Sequence, residues 1–291
     1  MDAVLAIDIG GTKLAAGRVD RAGTLSHRQT VPTPAGGRAE EVWEALATLV
    51  GAVRGGDEAV VGVGCGGPMA RHGATVSPLN IPAWRDFPLR SRLADLTGLP
   101  VHVDNDAKAL ALAEGWVGAA RGARCFLAMV VSTGVGGGVV LEGRLLDGET
   151  GNAGHIGHVI VEPEGRPCRC GGRGCLEAEA SGTAIRAVTG QDPAVAGEAW
   201  RRRTGTLVGR AVASVANLLD LRLAAVAGSV ALGYGDAFFA AAQAELDARS
   251  RIAFARGARV VPAGSGDAGP LVGAAAVALR AEGVDVGVEP P

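Results

Sequence analysis

Aromatic side chains make up only 3% of this 291-residue chain, and charge of one sign is equally scarce: 28 Lys and Arg face 30 Asp and Glu, a net charge of −2. With a sequence pI of about 6.2 and no strongly basic stripe, nucleic acid is not an expected partner. The N-terminus, MDAVLAIDIGG, has neither a basic n-region nor a long apolar h-region, so it does not read as a signal peptide. No uninterrupted apolar run approaches the ~20 residues that span a bilayer. A cytoplasmic location with no membrane partner is therefore expected. There, clustered cysteines are better metal ligands or redox groups than structural disulfides. G-x-x-x-x-G-K-[ST] is missing, which excludes a P-loop. Gly62, Gly64 and Gly67 fit G-x-G-x-x-G literally, but Pro68 and MARHGATVSP follow instead of a helix, so the dinucleotide fingerprint lacks its context. No segment is of low complexity, and the tail GVDVGVEPP is expected to fray.

What is present is hydrophobic bulk, 48% of the chain, enough for two lobes, and 46 glycines gathered into a few turns. VLAIDIG reads as a buried strand and KLAAGRVD as its hairpin partner; EEVWEALATLVGAV carries Val42, Leu46, Leu49, Val50 and Val53 at helical spacing. AVVGVGCGG and LPVHVDND are strands, and AKALALAEGWVG is a helix. The pattern then restarts with CFLAMVV, the turn STGVGGG and a returning strand VVLEGRLL. Helices are expected around Ala184–Val188, Leu207–Leu219 and Ala237–Arg249, with LAAVAG between the last two. A strand ARVVPAG and a helix GPLVGAAAVALRAEG close the chain. Alternating strands and helices define an α/β class.

The strand, glycine turn, strand unit occurs twice, at Asp8–Lys13 and at Ser132–Gly138. Glycine turns let backbone N–H groups approach phosphate oxygens. Thr12 in the first turn, and Ser132 and Thr133 in the second, add hydroxyls. A single such turn reads as an ordinary hairpin; the repetition favours phosphate binding in two lobes built alike around a shared cleft.

Together AIDIGGTK, VSTGVGGGVV, GHIGH, CRCGGRGCLEA and AGSV resemble the ROK family of sugar kinases, over about residues 4–280. The resemblance implies a two-lobed actin/hexokinase-like fold, a duplicated ribonuclease H-like α/β ATPase with a central cleft. Its lobes would be 1–116, joined by the C-terminal helix 270–283, and 117–269. It implies ATP-dependent phosphorylation of a hexose 6-hydroxyl with Mg²⁺, and a homodimer. Asp8, Gly10, Gly11, Thr12 and Lys13 would form the first phosphate hairpin, with Asp8 near the magnesium. Ser132, Thr133, Gly134 and Gly136 would form the second. Gly228 and Ser229 would lie by the adenosine, and Gly67, Asn80, Asn105, Asp106, His155, His158 and Glu177 would line the sugar site. The family also includes repressors with a preceding helix-turn-helix; here the first strand begins within a few residues of Met1, which favours an enzyme over a repressor, and intact Asp106 with both hairpins favours a kinase over a catalytically weak sugar sensor.

Asp106 fits the implied role of catalytic base. VDND ends a strand and a helix follows, which is where ligands of α/β sheets bind. A carboxylate at a helix N-terminus stays ionised and accepts a hydroxyl proton during phosphoryl transfer. The residues alone leave an N-cap equally open. Asp104 shares its strand face and is a candidate supporting carboxylate. His158, Cys168, Cys170 and Cys175 supply one nitrogen and three sulfurs, a closed set suited to structural Zn²⁺ with no open position for water. Cys65 and Cys125 lie on expected strands as buried core thiols. Most hexokinase-like members carry Glu where this chain has His155. The pattern Gly154-His155-Ile156-Gly157-His158 resembles the N-acetylmannosamine kinases of the family, with glucokinase or N-acetylglucosamine kinase as the alternative.

Overall fold

Alternating aliphatic residues and a tight glycine turn set up the first hairpin. In the computed structural model, which describes residues 3–36 and 38–290, β1 (Ala3–Ile9) and β2 (Lys13–Val19) pair antiparallel. The first region continues with β3 (Leu25–Pro32), α1 (Ala39–Val53), β4 (Glu58–Cys65), α2 (Leu89–Thr97), β5 (Val101–Asn105) and α3 (Asp106–Trp116). The five strands lie in the order β3-β2-β1-β4-β5, with β1, β4 and β5 parallel. Val42, Leu46, Leu49, Val50 and Val53 are the buried face of α1, as their spacing predicts.

The second region contains β6 (Phe126–Val131), β7 (Val135–Leu141), β8 (Arg144–Leu145), α4 (Leu176–Ala180), α5 (Gly182–Thr189), α6 (Glu198–Leu219), β9 (Leu223–Ala227), α7 (Ser229–Arg249) and β10 (Arg259–Pro262); α8 (Gly269–Ala281) ends the chain. Its sheet order, β10-β9-β6-β7-β8, repeats the first. In each sheet a hairpin is followed by parallel strands on the side of its first member. The duplicated unit read from the glycine turns is thus a duplicated topology, α/β in class.

The chain forms two compact units: residues 3–122, 144–153 and 265–290, and residues 123–143 and 154–264. Segment 144–153 therefore belongs with the first unit, where the sequence reading had placed it in the second. Side chains explain this: Lys108 Nζ donates to Asp147, and Asn152 pairs with the backbone of Met69. Close approach through small residues binds the helices. A Cβ on Gly62 would fall on the Ala274 carbonyl, which seats α8 on β4; Gly205 and Gly209 do the same for α6 against α7.

Several expectations need correction. The returning strand VVLEGRLL is two strands, because Glu142 and Gly143 take positive φ of 53° and 84° and turn the chain between β7 and β8. α6 and α7 begin well before Leu207 and Ala237. Gly235 takes a non-helical conformation inside α7. β3 and α2 were not anticipated; β3 is largely exposed and shows no alternation of apolar residues. As far as residue 289 the tail does not fray, Pro291 lying outside the described residues: Val286 and Val288 are buried, and Arg280 Nε donates to the Glu289 carbonyl at 2.8 Å. Cys125 is only half-buried and lies just outside β6, its sulfur accepting the Glu142 N–H; Cys65 is fully buried.

Candidate active site

In the first unit, parallel register sets Asp8 beside Gly64 and Gly64 beside Asp104 at the carboxyl ends of three strands. Asp106 opens α3 directly after β5. A Cβ on Gly64 would lie 3.5 Å from the Asp106 Cα and 3.8 Å from Asp8 Oδ1, which places this glycine between the two aspartates. Asp8 is pushed up to about 7, first by burial and then by the negative charge of Asp106, against the opposing pull of Lys13 and Arg28. Burial also raises Asp106, although its Oδ1 accepts the Ala107 N–H at 2.8 Å. Two carboxyls raised in this way are what a cation or a transferred proton resolves.

The N-cap of α3 is Asn105, whose Oδ1 accepts from Ala107 and Lys108 at 3.0 and 3.4 Å. Asp106 therefore is not the cap. Asp104, raised by its burial, is engaged by Lys108 at 2.9 Å.

The turn of the first hairpin is closed by Gly10 N–H to the Lys13 carbonyl at 3.0 Å. Thr33, buried, holds it from β3's end: its Oγ1 donates to Gly10 and its N–H to Thr12. A Cβ on Gly11 would lie 2.5 Å from the Asn80 Cβ, so this glycine admits the Asn80 loop rather than only a ligand. That loop leaves a cis Gly67–Pro68 bond, and Leu79 N–H returns to the Gly67 carbonyl at 3.2 Å. Arg85 Nη1 fastens it through the carbonyls of Pro78, Ile81 and Trp84.

In the second unit, the turn after β6 is held by its backbone. Ser132 N–H donates to Gly134, while the Ser132 and Thr133 carbonyls accept the N–H groups of Gly182 and Thr183 at the start of α5. Ser132 Oγ and Ser229 Oγ are 2.9 Å apart. Gly228 takes φ of 100° ahead of α7, and a Cβ there would fall on the Val131 carbonyl. Two hydroxyls and the free N–H groups of a long helix so meet at adjacent strand ends, an arrangement suited to an anionic ligand.

The GHIGH segment packs on β7. Ile156 is buried, and side chains on Gly154 or Gly157 would strike the carbonyls of Gly137 and Val135. His155 is exposed at the start of a short 3-10 turn, its ring centroid 6.0 Å from that of His158. Glu177 Oε2 accepts the Val135 N–H at 2.9 Å.

The ligand atoms of His158, Cys168, Cys170 and Cys175 all lie within 4.8 Å of one another. Cys168 Sγ is 3.7 Å from His158 Nδ1, and Cys170 Sγ is 3.8 Å from Cys175 Sγ. Tetrahedral ligands about 2.0–2.3 Å from one metal are about 3.5–3.8 Å apart, so the donors fit. Burial and the adjacent Cys170 and Cys168 hold the Cys175 thiol up at about 12, while the Gly172 N–H lowers Cys170. A cation would let all three ionise. Backbone hydrogen bonds fold this loop, including Val161 to Gly174, Cys168 to Gly172 and Leu176 to Val159. Buried Glu179 clamps it, accepting Arg166 N–H and Nη1 at 2.6 and 2.5 Å and Arg203 Nη2 at 2.8 Å.

The family model described as the ROK family matches residues 4–281. The chain belongs to the ROK family. It is 42% identical to the N-acetylmannosamine kinase of Citrobacter koseri over 248 residues, 79% of this chain and 84% of that protein. Identity to the glucokinase of Thermotoga maritima is 43% over 186 residues, 63% of this chain and 58% of that one. The crystal structure of a ROK glucokinase from Streptomyces griseus, in complex with glucose and AMPPNP, superposes with a TM-score of 0.85 at 30% identity, covering 96% of this chain and 99% of that one.

In this ROK chain the predicted residues sort by unit. Asp8, Gly10–Lys13, Gly67, Asn80, Asn105 and Asp106 gather in the first. Ser132–Gly136, His155, His158, the cysteines, Glu177, Gly228 and Ser229 gather in the second. Sequence reasoning passed over Thr33, Glu179, Gly182 and Thr183. Each acts through a fold contact with no local pattern. Gly64 alone had a signal, its place between the carboxylates in the parallel register.

Proposed function

We propose that this chain is an ATP-dependent kinase that phosphorylates the 6-hydroxyl of N-acetylmannosamine. The observation that carries it is the pair Asp8 and Asp106 at the strand ends, both raised by burial and Asp8 further by the charge of Asp106. In this reading Asp106 accepts the proton of the 6-hydroxyl as that oxygen bonds to the γ-phosphorus and the bond to ADP breaks. Asp8 would hold Mg²⁺, which supplies neutralising charge to the phosphates. Gly10–Lys13 would bind phosphate in the first unit. Ser132, Thr133, Gly134, Gly136, Gly228 and Ser229 would bind the nucleotide in the second. Gly67, Asn80, Asn105, His155, His158 and Glu177 would contact the sugar.

His158, Cys168, Cys170 and Cys175 would hold a structural Zn²⁺, four protein ligands leaving no position for water. We place the protein in the cytosol as a homodimer; no helix among the described residues is long and apolar enough to cross a membrane, and three thiolate ligands suit a reducing compartment.

His155 supports the choice of sugar, as does the 42% identity to a protein named for that activity. Identity of 43% to a glucokinase supports the second reading, a glucokinase of the same family. ATP turnover with a panel of N-acetylmannosamine, N-acetylglucosamine, mannose and glucose decides. The expected result is the highest kcat/KM on N-acetylmannosamine. A higher value on glucose moves the chain to the second reading, and turnover on no sugar leaves a sensor.

A further inference from the structure

The chain uses arginine almost everywhere: only Lys13 and Lys108 are lysines among its 28 basic residues. Lys13 belongs to the first hairpin. Lys108 lies on α3, 2% exposed. Its Nζ meets Asp104 Oδ1 at 2.9 Å, Asp147 Oδ1 at 2.6 Å and the Gly151 carbonyl at 3.3 Å. An ammonium has three donors, and all three are used. The ammonium directs them tetrahedrally from one atom, whereas a guanidinium spreads its donors in a plane on a longer, forked head.

Those acceptors lie on the β5 end, two residues before Asp106, and on segment 144–153. That segment is also closed on itself, Ala153 N–H to the Asp147 carbonyl at 3.0 Å. Its last turn is held where Asn152 exchanges two hydrogen bonds with Met69, at 3.3 and 3.2 Å, next to the Gly67–Pro68 bond. Gly154 and His155 follow directly in the chain.

We propose that Lys108 is a positioning residue: its buried ammonium pins segment 147–153 to the strand end beside Asp106 and thereby holds the Asn152–Met69 contact next to Gly67 of the sugar-lining loop. The sugar part of this inference rests on the function proposed above. The pinning does not.

Two readouts on the full chain test it. In Lys108→Met, hydrogen exchange of the amides of residues 147–155 accelerates about tenfold or more, as expected when a buried pair that closes a segment is broken. Exchange in the β1–β2 hairpin stays as it was. In the same variant the KM for N-acetylmannosamine rises about tenfold, with kcat and the KM for ATP within about threefold, the pattern of lost substrate positioning. Lys108→Arg does not restore either. Asp147→Asn, on a half-exposed side chain, shifts both in the same direction by less, and adds little to Lys108→Met.

A folded Lys108→Met protein with unchanged exchange in 147–155 overturns the pinning, and unchanged sugar KM overturns its effect on the site. If Lys108→Met does not fold, Asp147→Asn decides by the same exchange measurement. If the wild-type chain phosphorylates no sugar, the function reading fails while the exchange result still stands or falls by itself.

Discussion

Asp8 and Asp106 stand on strand ends and on the first residue of a helix, elements whose positions the sheet dictates, yet their charges are left without a compensating partner of full strength. The four donors of the Cys3His cluster sit on a loop with almost no regular structure. There the surrounding backbone is tied by turn hydrogen bonds and by the Glu179 ion pairs. The first site is rigid in backbone and frustrated in charge; the second is loose in backbone and bound by many weak ties. Damage should therefore act differently: on chemistry with the fold intact in the first, on position and stability in the second. Asp106→Asn is the severest test. It keeps the shape and removes the proton acceptor, so kcat should fall on the order of a hundredfold or more, with metal content unchanged and the melting temperature not lowered. Steady-state kinetics beside a thermal melt check this. A folded variant with near-normal kcat leaves Asp106 as a helix-opening residue only.

The second site should break the other way. Cys170→Ala removes the exposed ligand of the cluster. Metal analysis should find about one zinc per wild-type chain, as one four-ligand set implies, and little in the variant. The sugar KM should rise about tenfold, the melting temperature should drop, and kcat at saturation should change least. Glu179 and the turn hydrogen bonds would still hold part of the loop, so the effect should fall short of the Asp106 loss. Full activity and stability in metal-free protein would remove the cluster's assigned role.

Comparing the two sites also shows what a sequence makes legible. Asp8 and Asp106 follow buried aliphatic runs, so strand-end placement could be read directly. The hairpin repeat likewise announced the duplicated topology. The Cys3His set was legible from spacing, because sulfur and imidazole ligands are rare and cluster visibly. What could not be read was the support. Thr33 fixes the first turn from β3, a strand with no alternating pattern. Glu179 meets Arg203 from a helix that begins well ahead of its expected start. Lys108 and Asp147 meet across 39 residues. Some glycines also carry packing that no local pattern shows: Gly11 makes room for Asn80, and Gly154 and Gly157 for β7.

His155 joins the two comparisons, since it follows a segment held by the first unit and precedes a ligand of the second. N-acetylmannosamine and N-acetylglucosamine differ only in the orientation at C2. A neutral histidine both donates and accepts, whereas glutamate only accepts when ionised. One mispaired polar group costs roughly 1–3 kcal/mol, about ten- to a hundredfold in relative kcat/KM. His155→Glu should lower kcat/KM on N-acetylmannosamine and shift the ratio toward N-acetylglucosamine or glucose, with zinc retained. An unchanged epimer ratio would move specificity to the Asn80 loop.

The smallest effect follows from the frustrated charge of the first site, read through stability. Asp8 is raised to about 7 from an ordinary carboxylate value of 3.8. An acid whose folded pKa lies above its unfolded value binds more protons folded than unfolded between those two values. Its contribution is therefore fully present below about pH 4 and is lost as pH rises towards 7. Asp104 and Asp106, also raised, act with the same sign. Metal-free protein should melt several degrees lower at pH 8 than the trend of its other groups sets, and Mg²⁺ should restore part of the loss. Asp8→Asn carries no ionisable group there. It should flatten the slope between pH 5 and 8, leave a residual slope from the other two aspartates, and melt above the wild type by more at pH 8 than at pH 5. It should also lose the gain on adding Mg²⁺. Melts at the two pH values, with and without Mg²⁺, separate these outcomes. Parallel curves for wild type and Asp8→Asn would mean that the charge of Asp8 is compensated after all, and the contrast between the two sites would lose its electrostatic half.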